Sequence, residues 1–295
     1  MLEGWRIIAV VAGGRSRHLE ILLPYLKAQN AIVDGCDLWC NTDEAEDVLH
    51  MRRRASDDPF FRVIEAIMPV EVPTPLRAYP LYSSDRLTSR SGSVHQFFRY
   101  CTEPDTIYVH FDDDICWISP DAIANLIRFR LEYRQFPIIF ANTVNNSICS
   151  HIHQQIGCVP LDEGYCTYES NEQVGRLSGP FAELVHEAFL EKLEAGRAND
   201  FFFPLWVANQ YQQMSTNCIC WLGHDFGYFG GEVAAADETW LSSVFPKELQ
   251  QPNAICGTAL VSHFAYSAQR RWLEENTSLL SRYKATACWQ GLLPA

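Results

Sequence analysis

Apolar and polar positions alternate in short, regularly spaced runs through the first half of the chain. Trp5–Ala12 is almost continuously apolar and predicts a strand buried on both faces. Gly13-Gly14-Arg15 follows as a loop. His18–Gln29 carries Leu19, Leu22, Leu23 and Leu26 on one side, the spacing of a helix. Cys36–Cys40 predicts a second strand ending at Asn41-Thr42, and Thr42 is placed to cap a second helix from Asp43. Phe61–Ala66 predicts a third strand, after which Pro69, Pro73, Pro75 and Pro80 mark a loop-rich connection. Gly92–Cys101 reads as a helix leading into Thr106–Phe111. There Ile107, Val109 and Phe111 alternate with Tyr108 and His110, which predicts a strand buried mainly on one face. Ser119-Pro120 opens another helix, with proline in its first turn, and Ile138–Ala141 is a strand.

This β-α-β-α alternation predicts an α/β fold with a parallel-type, Rossmann-like half and helices on both faces of the sheet. Ligands of such sheets bind at the carboxyl ends of the strands. The Gly13-Gly14-Arg15 loop, Asn41-Thr42 and Asp112-Asp113-Asp114 all fall there. The second half is less regular. Ser178–Gly196 predicts an amphipathic helix capped by Ser178, Asp237–Val244 a short helix, Ala259–Tyr266 a strand, and Ser267–Lys284 a closing helix. There is no internal repeat and no low-complexity linker. The simplest organisation is one domain over residues 1–295 with two functional halves, 5–142 and 143–295.

Composition narrows the partners. The chain has 295 residues, 47% of them hydrophobic, enough for a sizeable core. A formal net charge of −13 offers no broad basic field and argues against a nucleic-acid partner. Arg52-Arg53-Arg54, the one basic cluster, reads as a solvated helix face. Eleven cysteines are an odd number for a disulfide framework, and Cys36/Cys40 and Cys218/Cys220 lack a second pair at zinc-ribbon spacing. Reduced thiols in a cytoplasmic protein are the expectation. The stretch from Phe201 to His224 lacks Asp, Glu, Lys and Arg, but Asn209, Gln210, Gln212, Gln213 and Asn217 exclude a bilayer span, leaving peripheral association open.

Three adjacent carboxylates at a strand tip repel one another, and a hard divalent cation, Mg²⁺ or Mn²⁺, is the natural counter-charge. The chain has no G-x-x-x-x-G-K-[ST], and Gly13-Gly14 lacks the spacing of a dinucleotide fold. Arg15 and Arg90 are candidate diphosphate contacts or ordinary surface arginines, and the helix start at Gly92 would assist an anion. His151 and His153 read as loop or groove residues. The aromatics around Phe201-Phe202-Phe203, Trp206, Trp221, Tyr228 and Trp240 suit either a sugar-stacking cleft or a core.

The strand ending in Asp112-Asp113-Asp114 resembles the DXD motif of GT-A fold glycosyltransferases. Phe229-Gly230-Gly231-Glu232 resembles the Trp-Gly-Gly-Glu acceptor segment of galactosyltransferase-like members. Asp237-Glu238 resembles the acidic pair that supplies the catalytic base in inverting members, and His263 the late histidine that binds the same metal. The four features occur in the family's order.

The resemblance implies a single GT-A-like domain: a Rossmann-like mixed sheet with a less regular acceptor-binding half. It implies a nucleotide-sugar donor and a glycan or other hydroxylated acceptor. In the donor site it implies Asp112 and Asp113, to which the strand-end and helix-start positions add Arg15, Thr42, Arg90 and Gly92 as candidates; in the acceptor site it implies Gly230, Gly231 and Glu232; at the metal, Asp112, Asp114 and His263. Asp112 would meet the ribose or the metal, and Asp113 would lie beside the donor sugar. Val233–Ala236 separate Gly-Gly-Glu from Asp-Glu, so Glu232, Asp237 and Glu238 are all eligible as base, Glu238 first. Other readings stay open. Gly230-Gly231 also reads as a tight turn, and His263 as a core histidine beside Val261 and Ala265. The same carboxylates would serve a metal-dependent nucleotidyltransferase or phosphohydrolase, or a non-catalytic carbohydrate- or nucleotide-binding domain.

Overall fold

A computed structural model describes residues 2–65, 94–169, 173–234 and 236–294. One nine-stranded mixed sheet runs through them: β1 (Arg6–Gly13), β2 (Gly35–Cys40), β3 (Phe61–Ile64), β4 (Thr106–Asp112), β5 (Ile115–Ile118), β6 (Ile139–Val144), β7 (Trp206–Val207), β8 (Cys218–Leu222) and β9 (Ala254–His263). The order is β3-β2-β1-β4-β8-β6-β9-β5, with β7 added beside β9. β1 to β4 are mutually parallel where they pair. β8 runs antiparallel to β4 and β6, whereas β6 and β9 are parallel. This is a Rossmann-like, GT-A-like arrangement: a parallel half extended by antiparallel strands.

Alternation along β1 builds both layers of the core. Ile7, Ala9 and Val11 enter one apolar cluster with α1 (Ser16–Ala28), α2 (Ala45–Asp57) and α3 (Ala122–Glu132). Ile8 and Val10 enter the opposite cluster with Trp39, Phe97, Phe98 and Trp221. α4 (Ser147–Gln155) contributes Ile148 and Cys149 to that second cluster. α5 (Gly179–Glu194), α6 (Ser267–Asn276) and α7 (Leu279–Trp289) complete the first. Helices therefore cover both faces of the sheet.

Several predicted elements change in the structure. Thr106–Phe111 is buried on both faces, because Tyr108 and His110 are covered by the second cluster. α2 begins at Ala45, and Thr42 accepts a hydrogen bond from Glu44 N at 3.1 Å just ahead of it. The closing helix breaks at Thr277-Ser278 into α6 and α7. β5 and β8 were not anticipated; both are short and buried, with no polar alternation to mark them. The proline-rich connection 69–80 lies outside the described residues, as do Arg90 and Gly92. All eleven cysteines are free thiols. Among the described residues no helix is long and apolar enough to cross a membrane.

Candidate metal centre and acidic site

The strand path places the aspartates. β4 stops pairing with β8 at Asp112, whose amide donates to the Asn217 carbonyl at 2.8 Å. The chain then crosses to the end of β9, where Ile115 pairs with His263 and Phe264 N donates to Asp114 O at 2.9 Å. The crossing gives each aspartate different partners. Asp112, 29% exposed, accepts from Asn217 Nδ2 at 2.8 Å. Asp113 is buried and accepts from Gly14 N at 2.8 Å on one carboxylate oxygen and from Arg15 Nε at 2.9 Å and Arg15 Nη2 on the other. Asp114, 1% exposed, pairs with Arg270 Nη2 at 2.7 Å and lies 3.5 Å from Arg15 Nη2.

The repulsion inferred from the sequence is thus offset in large part within the protein. Two guanidinium groups face three carboxylates, leaving about one negative charge. Burial alone would raise the Asp114 carboxyl, but the charges of His263, Arg15 and Arg270 outweigh it and hold it well below the usual carboxylate range. Burial pushes Asp113 up to about 6, against the pull of Arg15. Its oxygens are engaged by Gly14 and Arg15, so Asp113 braces the β1–α1 loop. Gly14 permits that bond because a Cβ there would lie only 3.1 Å from the Asn41 carbonyl.

Asp112, Asp114 and His263 form a group fit for a divalent ion. One ligand atom from each lies within 4.8 Å of the others. His263 Nε2 is 3.4 Å from Asp114 Oδ1 and 4.0 Å from an Asp112 oxygen. Two further observations support the fit. Asp114 Oδ1 is buried without a hydrogen-bond partner. His263 Nδ1 is 3.3 Å from the Asn145 carbonyl and donates to it, which turns Nε2 toward the carboxylates as the ring atom a cation would take. A donor set of two carboxylates and one imidazole suits Mn²⁺ or Mg²⁺ with positions left for ligand oxygens. Asp112 is the exposed side of the group.

The acidic pair is divided by its surroundings. Glu238 is tied to Arg176 Nη1 at 2.9 Å and Gln213 Nε2 at 3.3 Å. Burial, then the charges of Glu238 and Asp112, raise Asp237 to about 7. Asp237 therefore feels the charge of Asp112 and titrates near neutrality. Glu232 is exposed, 3.6 Å from Arg99. Gly230 and Gly231 have φ of +66° and +67°, and a Cβ at Gly231 would lie 2.5 Å from the Phe98 carbonyl. The turn thus packs its backbone against Phe98-Arg99.

The histidine pair departs from the sequence reading. His151 and His153 lie on α4. His153 is buried against Asn142 Oδ1 at 2.8 Å, and burial lowers it to about 3. His151 Nδ1 donates to the Cys166 carbonyl at 2.8 Å. Helical spacing of two residues sends the pair to different surroundings.

Sequence reasoning missed Arg270, Arg176, Asn145 and Asn217. Arg270 sits in a polar helix with nothing to distinguish it from Arg271, and only the β9–α6 connection turns it onto Asp114. Asn145 has φ +58°, a left-handed backbone that asparagine tolerates better than most residues. Asn145-Asn146 after an apolar strand was the available signal.

No protein-family model matches this sequence, and no curated protein matches it. Among solved structures the chain is similar to the mannosyltransferase PcManGT from Pyrobaculum calidifontis, in complex with GDP-Man and Mn²⁺. The TM-score is 0.48 at 11% identity, covering 97% of this chain and 65% of that one. The chain thus spans just under two thirds of that protein's length.

Proposed function

We propose that the protein transfers a sugar from a nucleotide-diphospho-sugar to a hydroxyl of a glycan or other acceptor. The observation that carries this reading is the Asp112–Asp114–His263 group at the carboxyl end of β4, with Asp237, raised to about 7 in part by the charge of Asp112, as a carboxylate able to exchange a proton near neutrality. Mn²⁺ or Mg²⁺ bound by these three residues would act as a Lewis acid on the diphosphate oxygens, where negative charge grows as the anomeric bond breaks.

The protein's own groups then divide the work. Arg15 and Arg270 keep Asp114 ionised, and Asn217 orients Asp112. Asp237 is the base in this proposal, in place of Glu238. It accepts the proton of the acceptor hydroxyl while that oxygen bonds to the anomeric carbon and the nucleoside diphosphate departs with the electron pair of the broken bond. Arg176 and Gln213 hold Glu238 beside it, and the charge of Glu238 adds to the proton affinity of Asp237. Residues 5–142 would form the donor half, with Arg15 and Thr42 at the strand ends, and 143–295 the acceptor half.

The test is incubation with a panel of nucleotide-sugars, Mn²⁺ and candidate acceptors. The expected products are free nucleoside diphosphate and a glycoside. A new pyrophosphate or released phosphate would instead mean nucleotidyl transfer or phosphohydrolysis. Donor binding by calorimetry without turnover across acceptors would mean a binding domain. Unchanged activity in Asp114→Ala would overturn the metal role.

A further inference from the structure

A second cavity lies at the opposite end of the sheet. It is bounded by Pro137 ahead of β6 and by the segment after β8, whose Leu222 pairs with Ile107 at the start of β4. The length of β4 separates it from Asp112, about 20 Å at strand rise. Its volume is about 290 Å³, and its lining includes Arg130, Arg134, His224, Tyr228, Phe229 and Phe245.

Arg130 is the unusual member. It is 2% exposed, yet among the described residues only its Nη2 is paired, to Asp225. Nε and Nη1 are buried without any hydrogen-bond partner. A guanidinium stays charged in a protein, so unpaired N–H groups there carry a desolvation cost that an acceptor would relieve. Arg134 adds a second positive charge, its Nε donating to the Leu131 carbonyl at 3.4 Å. Two arginines against Asp225 leave one positive charge in a chain of net charge −13. Aromatic rings make up much of the remaining wall, beside Pro137, Leu249 and Gln251. Phe229 and Phe245 pack at 5.0 Å, and Tyr228 stands 92% exposed.

We propose that this cavity binds a monocarboxylate carried on a six-membered ring. The carboxylate meets the unpaired donors of Arg130, with Arg134 supporting it, and the ring lies on the aromatic wall by Tyr228. The single net charge selects a monoanion over a phosphate dianion, and the volume admits about one ring. An acidic sugar and an aromatic acid share this chemistry.

Ligand-observed NMR and calorimetry on the full chain test the assignment, with glucuronate and benzoate as the two arms. Methyl glucoside, benzamide, acetate and inorganic phosphate are the controls. Saturable binding of either ring acid, with the neutral rings silent and acetate and phosphate weaker, is the expected result; the arm that binds identifies the source. Arg130→Lys keeps the charge and loses the fork, and should weaken binding about tenfold. Because that site is buried, the exposed Tyr228→Ala and Arg134→Ala variants are read beside it and should weaken binding at an unchanged unfolding temperature. No saturable binding of either acid, equal binding of acetate, or indifference to both exposed substitutions would overturn the proposal.

Discussion

Asp237→Asn separates catalysis from stability at one residue. Transfer of Asp237 from water into the fold raises it from 3.8 to about 7, burial first and the charges of Glu238 and Asp112 next. Between those values the folded state holds a proton that the unfolded chain releases. The contribution of Asp237 to stability is therefore fully present below about pH 4 and is lost progressively as the pH rises through about 7. About three pH units at 1.36 kcal/mol each set the loss at about 4 kcal/mol. Part of the side chain still reaches solvent, which brings the expected figure nearer 2 kcal/mol. Asparagine never ionises. Urea unfolding in EDTA should show the variant close to wild type near pH 4 and more stable by about 2–4 kcal/mol near pH 8. With a donor, an acceptor and Mn²⁺, wild-type kcat/KM should rise with unit slope toward a plateau, its midpoint drawn below about 7 by the bound cation. Asp237→Asn should lose that limb and about 10²–10⁴ in rate. A variant less stable than wild type at pH 8 would refute the electrostatic reasoning. Retention of the limb, or its loss in Glu238→Gln instead, would refute the choice of base.

Asp114→Asn leaves Arg270 and the Asp114 site without their buried ion pair and should cost about 3–5 kcal/mol by urea unfolding, with Mn²⁺ binding by calorimetry abolished. Asn145→Val cannot hold φ +58° and should move the carbonyl that orients His263, weakening Mn²⁺ about 10–100-fold, whereas Asn145→Gly keeps the backbone and recovers part of the affinity. Gly231→Ala, forced to φ +67° with its Cβ against the Phe98 carbonyl, should destabilise by about 2–3 kcal/mol in thermal unfolding.

The parallel half of the fold was legible because each of its elements has a local signal. Apolar runs marked β1 and β4, a leucine stripe marked α1, and Ser178 marked the start of α5, where its hydroxyl accepts from Phe181 N at 3.2 Å. β5 and β8 had no such signal, since strands of four or five fully buried residues do not alternate. The boundary of β9 was displaced for a related reason: its bulge between Cys256 and Leu260 interrupts the pattern.

The site divides along the same line. Adjacent aspartates, a late histidine and an acidic pair are properties of the chain, and their chemistry made a divalent cation and a carboxylate base the expectation. Which carboxylate does what depends on partners far away in sequence. Arg15 and Gly14 engage Asp113 across 98 and 99 positions, and Arg270 reaches Asp114 across 156. Arg176 occupies Glu238, while Asp237 is raised to about 7, where it can take up and give back a proton near neutrality. The sequence by itself determined the residue types available for charge and proton transfer. Only the tertiary structure decided their assignment, because a carboxylate's proton affinity follows from its burial and from the charges folded around it.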